Sequence, residues 1–96
     1  PDSPEPYYNR GLTRQDLGDT AGALEDFNQA LALDPDHVFA RYDRGLLAAE
    51  QGRLEAATAD LEVAASRCLE LGRLKCYEDA QFQLNVIESS LDLAAG

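Results

Sequence analysis

The sequence contains no methionine, and no apolar run in it approaches the roughly 20 residues that a helix needs to cross a bilayer. Direct membrane insertion is therefore not expected. Basic residues are scarce: 8 Lys and Arg stand against 18 Asp and Glu, and the formal charge of -10 repels phosphate backbones and anionic lipid surfaces alike. Nucleic acid is not an expected partner. There are only two cysteines, Cys68 and Cys76, and their spacing fits neither a zinc-ligand pair nor a disulfide-rich secreted scaffold. No stretch alternates apolar and polar residues with the period of two that marks a strand. No HExxH pattern, Walker loop or nucleophile with a recognisable base and orienting partner occurs, so catalysis is not expected and no cofactor or metal is implied. No signal-peptide pattern fixes the compartment, for which the cytoplasm is the favoured expectation. The chain opens on Pro1 rather than methionine, and we expect a piece of a longer protein or a processed start.

What the sequence does contain is ordinary globular material, 45% hydrophobic and 27% charged over 96 residues. Chains of this size bury about 65% of the surface they expose when unfolded, enough for one core and not for two. Slid against itself, the sequence matches at an offset of 34: Gly11 with Gly45, Gly18 with Gly52, Ala23 with Ala57 and Ala30 with Ala64. Tyr8 meets Tyr42, Arg10 meets Arg44, Leu12 meets Leu46 and Asp26 meets Asp60 at the same step, while Gln29 gives way to Val63. A period of that length in a helical pattern marks a helix-turn-helix solenoid unit. Glycine before a polar residue at Gly18-Asp19 and Gly52-Arg53 predicts the turns within each unit. Asp34-Pro35-Asp36 predicts the break between units, because proline cannot continue the ladder and drives the residue before it out of helix. Helices are predicted over 5–17, 20–33, 37–51 and 54–70. Beyond Gly72, the steps of Tyr77, Ala80, Leu84, Ile87, Leu91 and Ala94 predict one more amphipathic helix of about twenty residues.

Tyr7, Gly11, Gly18, Ala23, Phe27, Ala30 and Pro35 resemble the tetratricopeptide repeat consensus. The resemblance implies an all-α, right-handed solenoid of antiparallel helix hairpins with five helices in one domain. Repeat 1 would cover residues 4–37, repeat 2 residues 38–71, and a C-terminal capping helix residues 72–96. The first copy matches through its closing Leu31, Leu33, Asp34 and Pro35. The second departs at Arg41, Leu61 and Leu69, where the family has two aromatics and a proline. For the last helix the capping reading expects a polar outer side from Glu78, Gln81, Gln83, Glu88 and Asp92. The alternative makes it the first helix of a third repeat.

In this family the first helix of each repeat lines a concave groove. Carried onto this sequence, the contacting positions are Tyr8, Asn9, Leu12 and Asp16, then Phe39, Tyr42, Asp43, Leu46 and Glu50. The groove implied is aromatic and acidic, and it would take a protein or peptide with basic and apolar residues. The competing reading makes the same residues partly buried packing beside a solvated acidic edge. The carboxylate clamp of chaperone-binding members is not expected: Tyr8, Leu12 and Asp43 replace its lysine and asparagines, and Asp79 stands beside a matching Lys75. Protein binding is the expected function, with a structural spacer or self-association module in a longer array as the alternative. The chain would be a monomer or weak homo-oligomer.

Three further residue sets carry expectations. Reflected through the turns, Arg10 falls opposite Asp26 and Arg44 opposite Asp60, predicting a helix-to-helix ion pair in each repeat, with an arginine turned to a ligand as the alternative. If exposed, such a pair contributes about 0–1 kcal/mol. Cys68 and Cys76 lie either side of Gly72, a placement that can bring them face to face, first as buried free thiols and otherwise as a disulfide. His37, with Asp34 and Asp36, belongs to a polar connection rather than to a metal site.

Overall fold

A computed structural model describes residues 3–95 of the chain, with side chains to Leu93, so the expected inward face of Ala94 on the last helix lies outside the described side chains. Five α-helices follow one another: α1 Glu5–Asp16, α2 Thr20–Leu33, α3 Val38–Glu50, α4 Leu54–Glu70 and α5 Leu74–Ala95. No strand occurs among the described residues. The α1/α2 and α3/α4 hairpins stack through α2 and α3, and α5 packs along α4. The result is an all-α solenoid measuring 50 × 32 × 19 Å.

Local chemistry sets the ends. Three turns share one geometry, in which Gly18, Gly52 and Gly72 take φ of 83°, 79° and 70°. The following amide then donates five residues back, Asp19 to Arg14, Arg53 to Ala48 and Arg73 to Cys68, at 2.8–2.9 Å. Left-handed glycine makes this closure possible without a Cβ penalty. Asp34 before the proline is extended, with φ -141° and ψ 92°, as the sequence requires. The Asp19 carboxylate caps α2 by accepting from the Gly22 amide at 3.0 Å.

The core runs along the hairpins through Ala23, Phe27, Ala30, Leu47, Ala57, Leu61 and Ala64, all at most 1% exposed. Small residues admit the large ones. A Cβ on Gly11 would lie 2.6 Å from Phe27 Cε1, whereas one on Gly45 would lie 3.1 Å from Leu61 Cγ. The crossing is therefore tighter in the first repeat, where the second helix brings an aromatic ring.

Both predicted ion pairs form. Arg10 grips Asp26 through Nε at 3.0 Å and Nη2 at 2.7 Å, and Arg44 grips Asp60 through the same atoms at 2.8 and 2.7 Å. A second arginine approaches each carboxylate: Arg14 at 3.3 Å from Asp26 and Arg41 at 3.5 Å from Asp60. Surface energetics do not describe these pairs, because Asp26 is 2% and Asp60 7% exposed. Each is a surface arginine reaching down to a buried carboxylate, whose loss of partner would strand a charge. Arg41, which departs from the family aromatic, also donates to the Pro35 carbonyl at 2.9 Å and so ties the inter-repeat break to α3.

Two expectations are corrected. Cys68 and Cys76 are joined as a disulfide, their Cα atoms 5.7 Å apart, rather than free, because the Gly72 turn brings the last turn of α4 beside the first of α5. The outer side of α5 is not simply polar: Phe82, Val86 and Leu93 are exposed on it, while Gln81 and Gln83 are half-buried. Leu91, expected on the inner face, is itself half exposed.

Candidate functional site

The first helix of each hairpin and α5 share one face, and a cavity of about 550 Å³ opens there. From α1 comes Tyr8, and from α3 come Phe39, Tyr42 and Asp43. The opposite wall is the α4–α5 turn and the first turns of α5, with Arg73, Leu74, Lys75, Cys76 and Asp79.

Tyr8 and Asp43 are held from behind. The Tyr8 ring lies 5.8 Å from that of Phe27 and 4.8 Å from that of His37, and its hydroxyl donates to Asp43 Oδ2 at 2.6 Å. His37 is buried. Its Nδ1 accepts from the Ala40 amide at 3.1 Å, which caps α3 and leaves the proton on Nε2 to be donated to Glu5 at 2.8 Å. This line from Glu5 through His37 to Ala40 ties α1 to α3 and fixes the stage on which Tyr8 and Asp43 meet.

The electrostatics are unusual at Asp43. Burial pushes its carboxyl above the ordinary range, and the Tyr8 hydroxyl and the nearby His37 only partly offset that. Tyr8 is pushed up as well, first by burial and then by the Asp43 carboxylate. The pair thus holds a half-buried negative charge with one donor supplied and room for another. Across the cavity, Lys75 donates to Asp79 at 2.8 Å, and the Arg73 guanidinium lies 5.6 Å from the Phe39 ring centroid. Two carboxylates and two cations line the cavity, so it is mixed in sign and departs from the acidic groove expected.

Of the nine residues expected to contact a partner, the structure brings four together here: Tyr8, Phe39, Tyr42 and Asp43. Leu12 and Leu46 do not line the cavity; both are half-buried and pack against the core of their hairpins, as Tyr8 and Tyr42 also do. Asn9 is exposed outside the cavity, and Asp16 and Glu50 are exposed at the C-terminal ends of α1 and α3. Of the recurring residues, the tyrosines line the cavity, the leucines pack on the core outside it, and the acids sit at the helix ends. Sequence reasoning missed Arg73, Leu74 and Cys76 on the second wall. Their signal was the Gly72 turn, whose match to the Gly18 and Gly52 turns folds the start of α5 back beside α4 and toward α3.

Residues 8–74 match the family described as tetratricopeptide repeat. Over 69 residues the chain is 45% identical to tetratricopeptide repeat protein 36 of Bos taurus, an alignment spanning 68% of this chain and 37% of that protein. The Mus musculus and Homo sapiens proteins of the same name are each 42% identical over 69 residues. The chain therefore spans little more than a third of the length of these relatives. In fold it resembles the crystal structure of a tetratricopeptide repeat domain protein from Salinibacter ruber, with a TM-score of 0.83 at 22% identity over 91% of this chain and 97% of that one. With the 34-residue repeat, the paired helices and a family match over well more than half its length, the chain belongs to the tetratricopeptide repeat family.

Proposed function

We propose that the chain is a protein-binding scaffold whose α1/α3/α5 face takes a segment of a partner protein carrying lysine or arginine among apolar anchors. The observation that carries this reading is Asp43: a carboxylate kept ionisable at a cost imposed by burial, at the floor of a cavity walled by Tyr8, Phe39 and Tyr42. A cationic head offers it a charge-assisted bond, while the aliphatic stem lies against the rings. Within the chain itself, the Arg73 guanidinium rests over the Phe39 ring, a cation–π contact between the two walls of the cavity. Binding in this reading needs no cofactor and no bond making.

The test is a library of basic amphipathic peptides measured against the parent, Tyr8→Phe with Tyr42→Ala, Asp43→Asn, and Asp16→Asn with Glu50→Gln, at low and high salt. Loss of an aromatic anchor should weaken binding by on the order of 2 kcal/mol. Asp43→Asn should weaken peptides with a basic residue selectively, and the exposed Asp16 and Glu50 pair should alter mainly the salt dependence. Equal affinity for all four proteins would remove the reading.

Exposed Phe82, Val86 and Leu93 favour a second reading, self-association through the outer face of α5. Light scattering across a concentration series separates the two, since a dimer lost on Phe82→Ser would favour self-association.

A further inference from the structure

We infer that the Cys68–Cys76 disulfide is a redox latch for the cavity, holding its α5 wall in place when oxidised and loosening it when reduced. The inference rests on the reading of that cavity as the partner site. Three observations carry it. The bond joins the last turn of α4 to the first turn of α5 and so encloses the Gly72 turn, and three of the wall residues, Arg73, Leu74 and Lys75, lie within that loop. The two sulfurs differ in access. Cys68 has no exposed surface and packs with Val38 and Ala64, whereas Cys76 is half-buried and lines the cavity itself. Third, the side chains of Arg73, Leu74 and Lys75 are exposed, so burial holds this wall far less than it holds Tyr42 or Asp43 opposite.

The chemistry is ordinary thiol–disulfide exchange with a dithiol reductant. Its thiolate attacks the Cys76 sulfur from the cavity side, the S–S bond breaks, and Cys68 leaves as a thiolate that takes up a proton. The reductant's second thiol then attacks the mixed disulfide and frees Cys76, so two electrons pass to the cysteine pair and the reductant leaves as its own disulfide. Reduction leaves the hydrogen bond from the Arg73 amide to the Cys68 carbonyl in place and removes the one covalent tie across the turn. The α5 first turn then opens more often, and a partner must order it on binding. By reciprocity, a bound segment protects the bond from reduction by the same factor by which oxidation strengthens binding.

The experiment uses the full chain equilibrated with oxidised glutathione or with reduced dithiothreitol, a dithiol, with thiols counted by mass after alkylation. Amide hydrogen exchange is followed over residues 71–79, and affinity is measured for the tightest peptide that the basic library yields on the parent. Faster exchange in that segment and binding weaker by about fivefold or more in the reduced protein are expected. Cys68→Ala with Cys76→Ala should behave as the reduced form under both conditions. Free thiols after oxidation, or exchange and affinity unchanged between the two states, overturn the latch while leaving the cavity reading intact. Exchange that responds to redox, with no peptide bound in either state, overturns the cavity reading and with it the latch as a regulator of binding.

Discussion

Alanine at Gly11 and at Gly45 should have unequal consequences, although the two glycines hold equivalent places in the two repeats. Both substitutions gain helix propensity, worth about 0.5–1 kcal/mol in favour of alanine. Both place a methyl at a helix crossing. At Gly11 that methyl meets Phe27 Cε1 at 2.6 Å, Phe27 Cδ1 at 2.9 Å and Asp26 Cβ at 3.2 Å. The ring has no exposed surface, and Asp26 is held by Arg10 and Arg14, so neither can step aside. Overpacking costs about 1–3 kcal/mol, and contacts under 3.0 Å place this case in the upper half of that range, which leaves a net loss near 1–2 kcal/mol. At Gly45 the contacts are Leu61 Cγ at 3.1 Å, Asp60 Cβ at 3.2 Å and Leu61 Cδ2 at 3.3 Å; Leu61 is as buried and Asp60 as firmly held by Arg44 and Arg41, but a shift of a few tenths of an ångström suffices here. Propensity then wins or cancels, and the change should stay within about 0.5 kcal/mol of zero. In thermal unfolding followed by circular dichroism, Gly11→Ala should lower Tm by about 4–16 °C and Gly45→Ala by little or nothing. The second repeat also supplies the remedy, since it carries Leu61 where the first has Phe27. Phe27→Leu should cost less in the Gly11→Ala background than in the parent, a coupling measurable in a double-mutant cycle. Equal Tm losses for the two glycines, or strict additivity of Gly11→Ala with Phe27→Leu, would refute the reasoning.

Three other outcomes follow from the same geometry. Phe27→Ala should cost about 3–5 kcal/mol, a large share of the roughly 5–15 kcal/mol that holds a domain together, and a Tm drop of only a degree or two would contradict the assigned packing. The bidentate bond from Arg10 holds the Asp26 carboxyl below its ordinary value, so its stabilisation is complete above the unfolded value of about 4 and is lost as pH falls through the folded one. Denaturant midpoints at descending pH should therefore drop more steeply for the parent than for Asp26→Asn. Asp43 has the reverse sign: burial raises its folded value, so its ionisation destabilises the fold at neutral pH. Asp43→Asn, which retains an acceptor for Tyr8, should melt higher at pH 7 while binding basic peptides less well, and a variant that loses stability instead would argue that the carboxylate is structural.

The fold was legible because three kinds of punctuation agree. Glycine at residues 18, 52 and 72, proline at 35 and the 34-residue match of small residues leave little freedom in where helices end or which faces meet. Even the ion pairs were readable, by reflecting Arg10 and Arg44 through their turns. Their burial was not, because periodicity places a residue on a face without saying how deep that face lies. The cavity was half legible for the same reason. Tyr8, Tyr42, Leu12 and Leu46 are all half-buried against the core, but only the tyrosines also line the cavity, a difference set by the stacking of the hairpins. The α5 wall escaped because its residues have no counterpart at the repeat offset, and α4 is longer than α2, 17 residues against 14, which displaces the register of everything after it.

The central claim, that the α1/α3/α5 face receives a partner segment, is tested most directly by titrating isotope-labelled, oxidised protein with the tightest basic amphipathic peptide and following its amide and tyrosine ring resonances. The account predicts shifts concentrated at Tyr8, Phe39, Tyr42, Asp43 and Arg73 to Asp79, with α2 and the outer side of α5 quiet. Shifts centred instead on Phe82, Val86 and Leu93, or along α2, would contradict it.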